Sequence, residues 1–338
     1  MGYATLWLFG FGVLLAGYLV LAGLDYGVAI VAPFVARDDG ERRLAFNALG
    51  PFFLSNEVWL LVAFGVLFGT APRLGTSILT GTFGMAVVAV AGALLVNVAV
   101  QLRSRVRAPR VRRTWDGLIF AGGVAAAFGW GAVITAVIGG LALGPDGHVT
   151  GAGTALTAFS VLGGLSMVAL LATHGSMFLA ARTPAPVASR ARRGAIVLSV
   201  AAGLLLATTM VTGRLGDYYA GGIERPTFAL VVLLLAVVLL KVALWLLTSR
   251  RYWAASATTA TAVALMPVLL YAGKYPALIT PADAGGVAPT LGQLVGEHTA
   301  LAMITWTAGP VLVAVIAVQA WSWWAFRGRL DRHSPIYY

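Results

Sequence analysis

Apolar runs long enough to cross a bilayer follow one another along almost the whole 338-residue chain, and this succession constrains the fold more than any other feature. About 18 consecutive residues with few charges suffice to span a hydrocarbon layer as a helix. Nine such runs can be drawn, roughly Thr5 to Ala36, Pro51 to Gly69, Ser77 to Leu102, Trp115 to Leu143, Thr154 to Ala181, Gly194 to Thr212, Phe228 to Thr248, Tyr252 to Ala272 and Ala300 to Phe326. With 59% hydrophobic and 10% charged residues, the chain has more apolar side chains than a soluble domain of this size could hide. Hydrocarbon offers the backbone no hydrogen-bond partners, so each run is expected to be a helix. The expectation is a single all-α polytopic membrane domain over residues 1–338. The first run lacks a basic leading segment and a small-residue cleavage site, and reads as a retained helix.

The net charge of +11 falls in short clusters between the apolar runs rather than on one face, which is a topology signal and not a nucleic-acid footprint. With the N-terminus outside, the inner connections carry Arg37, Arg42, Arg43; Arg103, Arg105, Arg107, Arg110, Arg112, Arg113; Arg182, Arg190, Arg192, Arg193; Arg250, Arg251; and Arg327, Arg329, Arg332. The outer side carries only Arg73, Arg214, Arg225 and Lys274, so the partition is 18 against 4. One span too many or too few would invert every later cluster, so the alternation supports nine spans with the N-terminus out and the C-terminus in. The loop from Gly273 to about His298, with Pro276, Pro281 and Pro289, reads as an ordered cap or a partner contact.

Charges at membrane depth are costly, and those that remain usually face protein or water. Asp25, Glu57, Asp116, His174 and Lys241 qualify, all toward the cytoplasmic half. Asp25 lies between Gly23 and Gly27, which admit a close neighbouring helix; it can be a proton carrier or a carboxylate that crosslinks helices. Glu57 beside Asn56 is open to the same two readings. Lys241 reads as snorkelling or paired with an acid rather than catalytic. Asp116, after Trp115 in the first turn of a helix, suits the helix dipole and reads as structural. His174 can be a proton relay, a haem ligand or a satisfied core histidine. Only one histidine lies within the spans, since His148, His298 and His333 fall in loops or near boundaries, so any redox metal is assigned to a partner chain.

With no cysteine, thiolate metal sites, iron–sulfur clusters and disulfides are absent. No phosphate-binding GxxxxGK[ST] loop and no HExxH spacing occurs. The residues alone therefore read as a multi-helix membrane protein with a polar cluster near the cytoplasmic side. An ion-coupled secondary transporter using Asp25 and Lys241, a proton-conducting subunit and a purely structural subunit all remain open.

Several segments resemble landmarks of the cytochrome bd-type quinol oxidase subunit II family. These are AGLDYGVAI in the first helix, ERRLAFNALGPFFLSNEVWLL, RRTWDGLIFAGG, SVLGGLSMVALLATHGSMFLA, and finally YPALITP, MITWTAGP and QAWSWWAFRGRL, in order along nearly the whole chain. The resemblance implies nine helices in two four-helix bundles plus a peripheral helix, in a bacterial cytoplasmic membrane. It implies a subunit that carries no haem itself and pairs with a subunit I holding the haems, b and d or others. The complex would oxidise quinol, reduce dioxygen and take up cytoplasmic protons. It also allows a bound quinone and a small single-span subunit. By motif, Asp25 is the proton-path carboxylate, Asn56, Glu57 and Trp59 pack near it, and Trp115 and Asp116 anchor the fourth span.

Two departures stand out. The family's first acid of helix 1 is Ala22 here, and its Trp-Asp-Gly before the asparagine is Phe53-Leu54-Ser55. A second proton-path carboxylate is thus missing at Leu54. Either Glu57 and water substitute for it, or the chain is a divergent paralogue with a different proton route.

Overall fold

The computed structural model describes residues 2–151, 155–218, 226–275, 277–282 and 285–330. Those residues form twelve helices: α1 (Tyr3–Val35), α2 (Asp39–Asn47), α3 (Phe53–Thr70), α4 (Pro72–Gly81), α5 (Phe83–Arg105), α6 (Pro109–Gly139), α7 (Ala158–Arg182), α8 (Ala185–Leu215), α9 (Pro226–Thr248), α10 (Tyr252–Lys274), α11 (Leu291–Leu294) and α12 (His298–Ala325). Nine are long and apolar enough to cross a membrane, all but α2, α4 and α11. No strand forms among the described residues, only isolated bridges such as Leu141 with Pro281. Thr154, Arg225, Pro276, Arg332 and His333, used above to read topology or ligands, lie outside the described residues.

Helix ends differ from the hydropathy runs where a cap or a proline sets the boundary. The run drawn from Ser77 is two helices: α4 closes at Gly81, and Thr82, at φ −114° and ψ 22°, separates it from α5. α8 starts at Ala185, before Arg190, Arg192 and Arg193, because Pro186 fits a first helical turn and arginine is a good helix former. Hydropathy sees only the apolar part of such a helix. Asp38 caps α2 by accepting from the Glu41 backbone N–H at 2.8 Å, and Thr157 and Ser160 form a reciprocal box at the start of α7.

α1, α3, α5 and α6 make one group of spans, and α7 to α10 a second. The two join where α1 and α6 pack on α7 and α10, while α12 packs on α1 and α3, reaches Phe178 of α7 through Trp323, and is almost wholly exposed. Within a membrane, helices gain little from apolar burial against one another, so close backbone approach decides their packing. Gly27 of α1 and Gly175 of α7 show it: a methyl group on either would overlap the other helix's backbone. α7, the most buried span, therefore lies directly behind the segment of α1 that carries Asp25.

The arginine-rich end is tied together by arginines that cap helix C-termini, which carry partial negative charge. Arg190 donates to the Val35 carbonyl at 2.6 Å, and Arg182 to those of Ala48 at 3.0 Å and Gly328 at 2.7 Å. At the opposite end the loop after α10 forms a cap: the backbone N–H of Leu141 donates to Thr280 O, and that of Ala282 to Leu141 O. Lys274 is buried there with Thr280 as its hydrogen-bond partner.

Candidate functional site

Three hydrogen bonds made by two pairs of adjacent residues fasten α1 to α3. Asp25 and Tyr26 are neighbours on α1, and Asn56 and Glu57 on α3; successive residues of a helix point about 100° apart, so each pair serves two separate contacts. On one side the Asn56 amide Nδ2 donates to Asp25 Oδ2 at 3.0 Å and to the Leu21 carbonyl at 3.2 Å. On the other the Tyr26 hydroxyl donates to Glu57 Oε1 at 3.0 Å.

Asp25 is 1% exposed, and its Oδ1 is buried without a hydrogen-bond partner. Gln319 reaches in from α12 and donates to Asn56 Oδ1 at 3.4 Å, so the peripheral helix touches the cluster through its one buried polar side chain. Asn97 of α5 is a second donor to Glu57 Oε1, at 3.0 Å, and its other amide hydrogen goes to the Ala93 carbonyl at 3.0 Å. Behind Tyr26, the hydroxyls of Tyr18 and Tyr26 are 2.6 Å apart, and the Trp130 indole donates to Tyr18 at 3.0 Å. No arginine or lysine takes part in these bonds: both carboxylates are held by neutral donors.

Glu57 is not sealed in. It is half-buried, on a side of α3 where Leu54 is 63% and Leu61 71% exposed, and Asn97 is half-buried beside exposed Leu94 and Val98 on α5. The cluster therefore runs from the sealed Asp25 to a carboxylate at the margin of an apolar face of the bundle.

A different set of acids lies at the arginine-rich end. Asp116 accepts from Arg42 at 2.9 Å and also pairs with Arg103, whose guanidinium is buried and bonds Asp39 at 2.8 Å; Arg112 reaches the other Asp39 oxygen at 2.7 Å. Arg103 also lies over the Phe46 ring, 5.5 Å from its centroid. Glu41 pairs with Arg190 at 2.5 Å. The Arg37 backbone N–H donating to Glu41, together with that guanidinium, holds its carboxyl below the usual carboxylate range.

The residues singled out in the sequence thus divide. Asp25, Asn56 and Glu57 come together. Trp59 is buried nearby, its ring filling the space over Gly17. Asp116 belongs to the ionic knot, with half-buried Trp115 preceding it; α6 begins at Pro109, so Asp116 lies beyond the first turn expected for it, and arginines rather than the helix N-terminus hold its charge. Lys241 stands exposed on α9. His174 is 1% exposed with both ring nitrogens engaged, Nδ1 with Thr259 Oγ1 of α10 at 2.8 Å and Nε2 with the Val20 carbonyl of α1 at 3.2 Å. Since a carbonyl only accepts, Nε2 donates; the one Thr259 hydroxyl hydrogen, which also has the Ser256 carbonyl 2.9 Å away, satisfies the neutral ring when it turns to Nδ1, making it a bolt between three helices. Neither nitrogen is left for a metal, and among the described residues no three acids or histidines converge as a metal site.

Tyr18, Tyr26, Asn97, Trp130 and Gln319 were missed. Asn97 and Gln319 had a usable signal, since an amide within an apolar span needs a partner much as a charge does. The tyrosines and Trp130 had none that separates them from ordinary core aromatics.

The chain matches the family model described as cytochrome bd terminal oxidase subunit II over residues 3–326. It is similar to cytochrome bd ubiquinol oxidase subunit 2 of Bacillus subtilis (strain 168), 27% identical over 346 residues that cover 98% of each chain. It is also similar to cytochrome bd-I ubiquinol oxidase subunit 2 of Escherichia coli (strain K12), 26% identical over 359 residues, covering 97% of this chain and 95% of that one. In fold it resembles a chain of the bd oxidase from Geobacillus thermodenitrificans over 97% of its length and 100% of that chain, with a TM-score of 0.66 and 15% identity.

Proposed function

This chain belongs to the cytochrome bd terminal oxidase subunit II family, and from that premise we propose that it passes cytoplasmic protons through Asp25 and Glu57 to the haem-bearing subunit of the complex. As a multi-pass subunit of a bacterial membrane oxidase it is not a free-standing transporter, and the reading that couples Asp25 to Lys241 gives way. Haem in the partner supplies the oxygen chemistry; the residues here bind, hold and release protons. The arginine-rich end is taken as cytoplasmic, with the N-terminus outside.

The observation that carries the reading is the place of Glu57. An acid at membrane depth that is half-buried beside exposed Leu54, Leu61, Leu94 and Val98 is expensive against acyl chains and inexpensive against a polar group of a partner. Leu54, where the family resemblance calls for a carboxylate, lies on the same side of α3, three residues before Glu57. The substitution therefore keeps an acid on the same face, about one turn along, which favours Glu57 as the replacement over a wholly different route. Asp25 precedes it, sealed and held by Asn56. A carboxylate whose partners are neutral can gain and lose a proton without breaking an ion pair.

Co-expression with the haem-bearing subunit tests this. Asp25→Asn and Glu57→Gln are each expected to assemble with normal haem content and to lose quinol-dependent oxygen consumption per haem by about tenfold or more, the scale of a lost proton-transfer group. Full turnover in either assembled variant would remove that residue from the path and favour a purely structural role.

A further inference from the structure

The three aromatic side chains behind Glu57 form a line whose hydrogen-bond direction is fixed. An indole N–H can donate and cannot accept, so Trp130 must give its hydrogen to Tyr18. Tyr26 has one hydrogen and gives it to Glu57 Oε1, so in the contact between the two hydroxyls Tyr18 donates and Tyr26 accepts. Each hydroxyl then donates once and accepts once. The opposite sense costs a bond: a proton placed on Oε1 and donated to Tyr26 would turn Tyr26 toward Tyr18, whose oxygen can accept a second time but whose own hydrogen would then lose its acceptor.

Asn97 acts the same way on the same oxygen. Its assignment is fixed by the Ala93 carbonyl, since exchanging the amide atoms would set two oxygens 3.0 Å apart. Oε1 thus accepts from two groups, an amide nitrogen that cannot take a proton from it and a phenol that could do so only by costing Tyr18 its acceptor, and the line ends at Trp130 against an apolar cavity lined by Leu60, Phe64, Val133 and Val137.

We infer that Tyr26, backed by Tyr18 and Trp130, is a positioning residue that keeps Oε1 of Glu57 an acceptor and leaves Oε2 to take and release the proton. This rests on Glu57 being a proton carrier, and it adds which oxygen carries the proton and why no proton continues along the aromatic line. Tyr26 touches no substrate; it acts through Glu57.

The experiment compares Tyr26→Phe, Trp130→Phe, Glu57→Gln and the double variant Glu57→Gln/Tyr26→Phe in the complex co-expressed with its haem-bearing partner. Tyr26→Phe is expected to lower oxygen consumption per haem about tenfold with the KM for quinol unchanged, Trp130→Phe less, and the double variant is expected to be no slower than Glu57→Gln alone. In pH-difference infrared spectra, the protonated-carboxyl band that disappears in Glu57→Gln should move in Tyr26→Phe, a readout independent of turnover. A Tyr26→Phe complex with normal turnover, or with an unmoved band, overturns the positioning role, and so does a double variant slower than Glu57→Gln by the full Tyr26→Phe factor. Slow Glu57→Gln with normal Tyr26→Phe defeats the positioning role alone; full turnover in Glu57→Gln defeats it together with the proton-carrier reading.

Discussion

The protein holds its acids in two ways. At the arginine-rich end Asp39, Glu41 and Asp116 are bonded to guanidinium groups, and Arg103 is buried between two of them. Deeper among the spans Asp25 and Glu57 are bonded to amides and a phenol. Charge stabilisation explains the first set fully: the pairs fasten α2 to α5, α6 and α8 where water is close. It does not explain the second, because a packing role inside the membrane would be served at lower cost by an amide. The surviving carboxyls make sense if the proton itself is wanted.

The sharpest way to break that contrast is to take a partner from the ionic knot. Asp116→Asn leaves the buried Arg103 and the Arg42 guanidinium with one carboxylate fewer, and losing one member of a buried pair costs about 3 kcal/mol or more. The expected outcome is a poorly assembled or thermally weak complex whose surviving fraction turns over normally per haem. Thermal unfolding of the purified complex measures the loss; a stable but slow variant would mean that the knot also moves protons.

The contrast is sharpened by converting one kind of site into the other. Asn97→Lys places an ammonium where Glu57 now has an amide donor, at a half-buried position that a longer side chain can reach from. The new pair commits the carboxylate to a charge as Arg103 commits Asp116. Turnover per haem should fall about tenfold with haem content intact, close to the effect of Glu57→Gln. Unchanged turnover would show that Glu57 works equally well as a fixed charge.

The same contrast separates what the sequence disclosed from what it withheld. Nine spans follow from apolar length and arginine alternation, because the bilayer imposes both on the chain locally. Asp25 and Glu57 stood out because charge is rare at that depth. The resemblance already placed Asn56 and Glu57 near Asp25 and Asp116 read as structural, but what bonds each acid did not follow: only the fold shows that Asp116 meets two arginines and that Glu57 meets Tyr26 and Asn97. Tyr18, Tyr26 and Trp130 are 112 residues apart at the extreme, and nothing in their identity marks them as a hydrogen-bonded line rather than core filling. The α2 and α4 helices were hidden because short polar or interfacial helices leave no apolar run.

The smallest effect belongs to Glu41, and its sign is a test of the charge-paired kind of site. Arg190 and the Arg37 backbone N–H hold this carboxyl below its ordinary range, so the ionised form is bonded more tightly in the folded protein than in the unfolded chain. The resulting stability is present above the ordinary carboxylate range and is lost as pH falls through the lowered value, where the folded state too takes up the proton. Glu41→Gln should therefore lower the Tm of the complex slightly at neutral pH, with the gap closing on acidification, and leave turnover unchanged. Partial exposure and salt screen such a pair, so the gap should also narrow in high salt. A gap that instead widened on acidification would mean that Glu41 is bonded as a neutral acid, the behaviour reserved here for the sites between the spans.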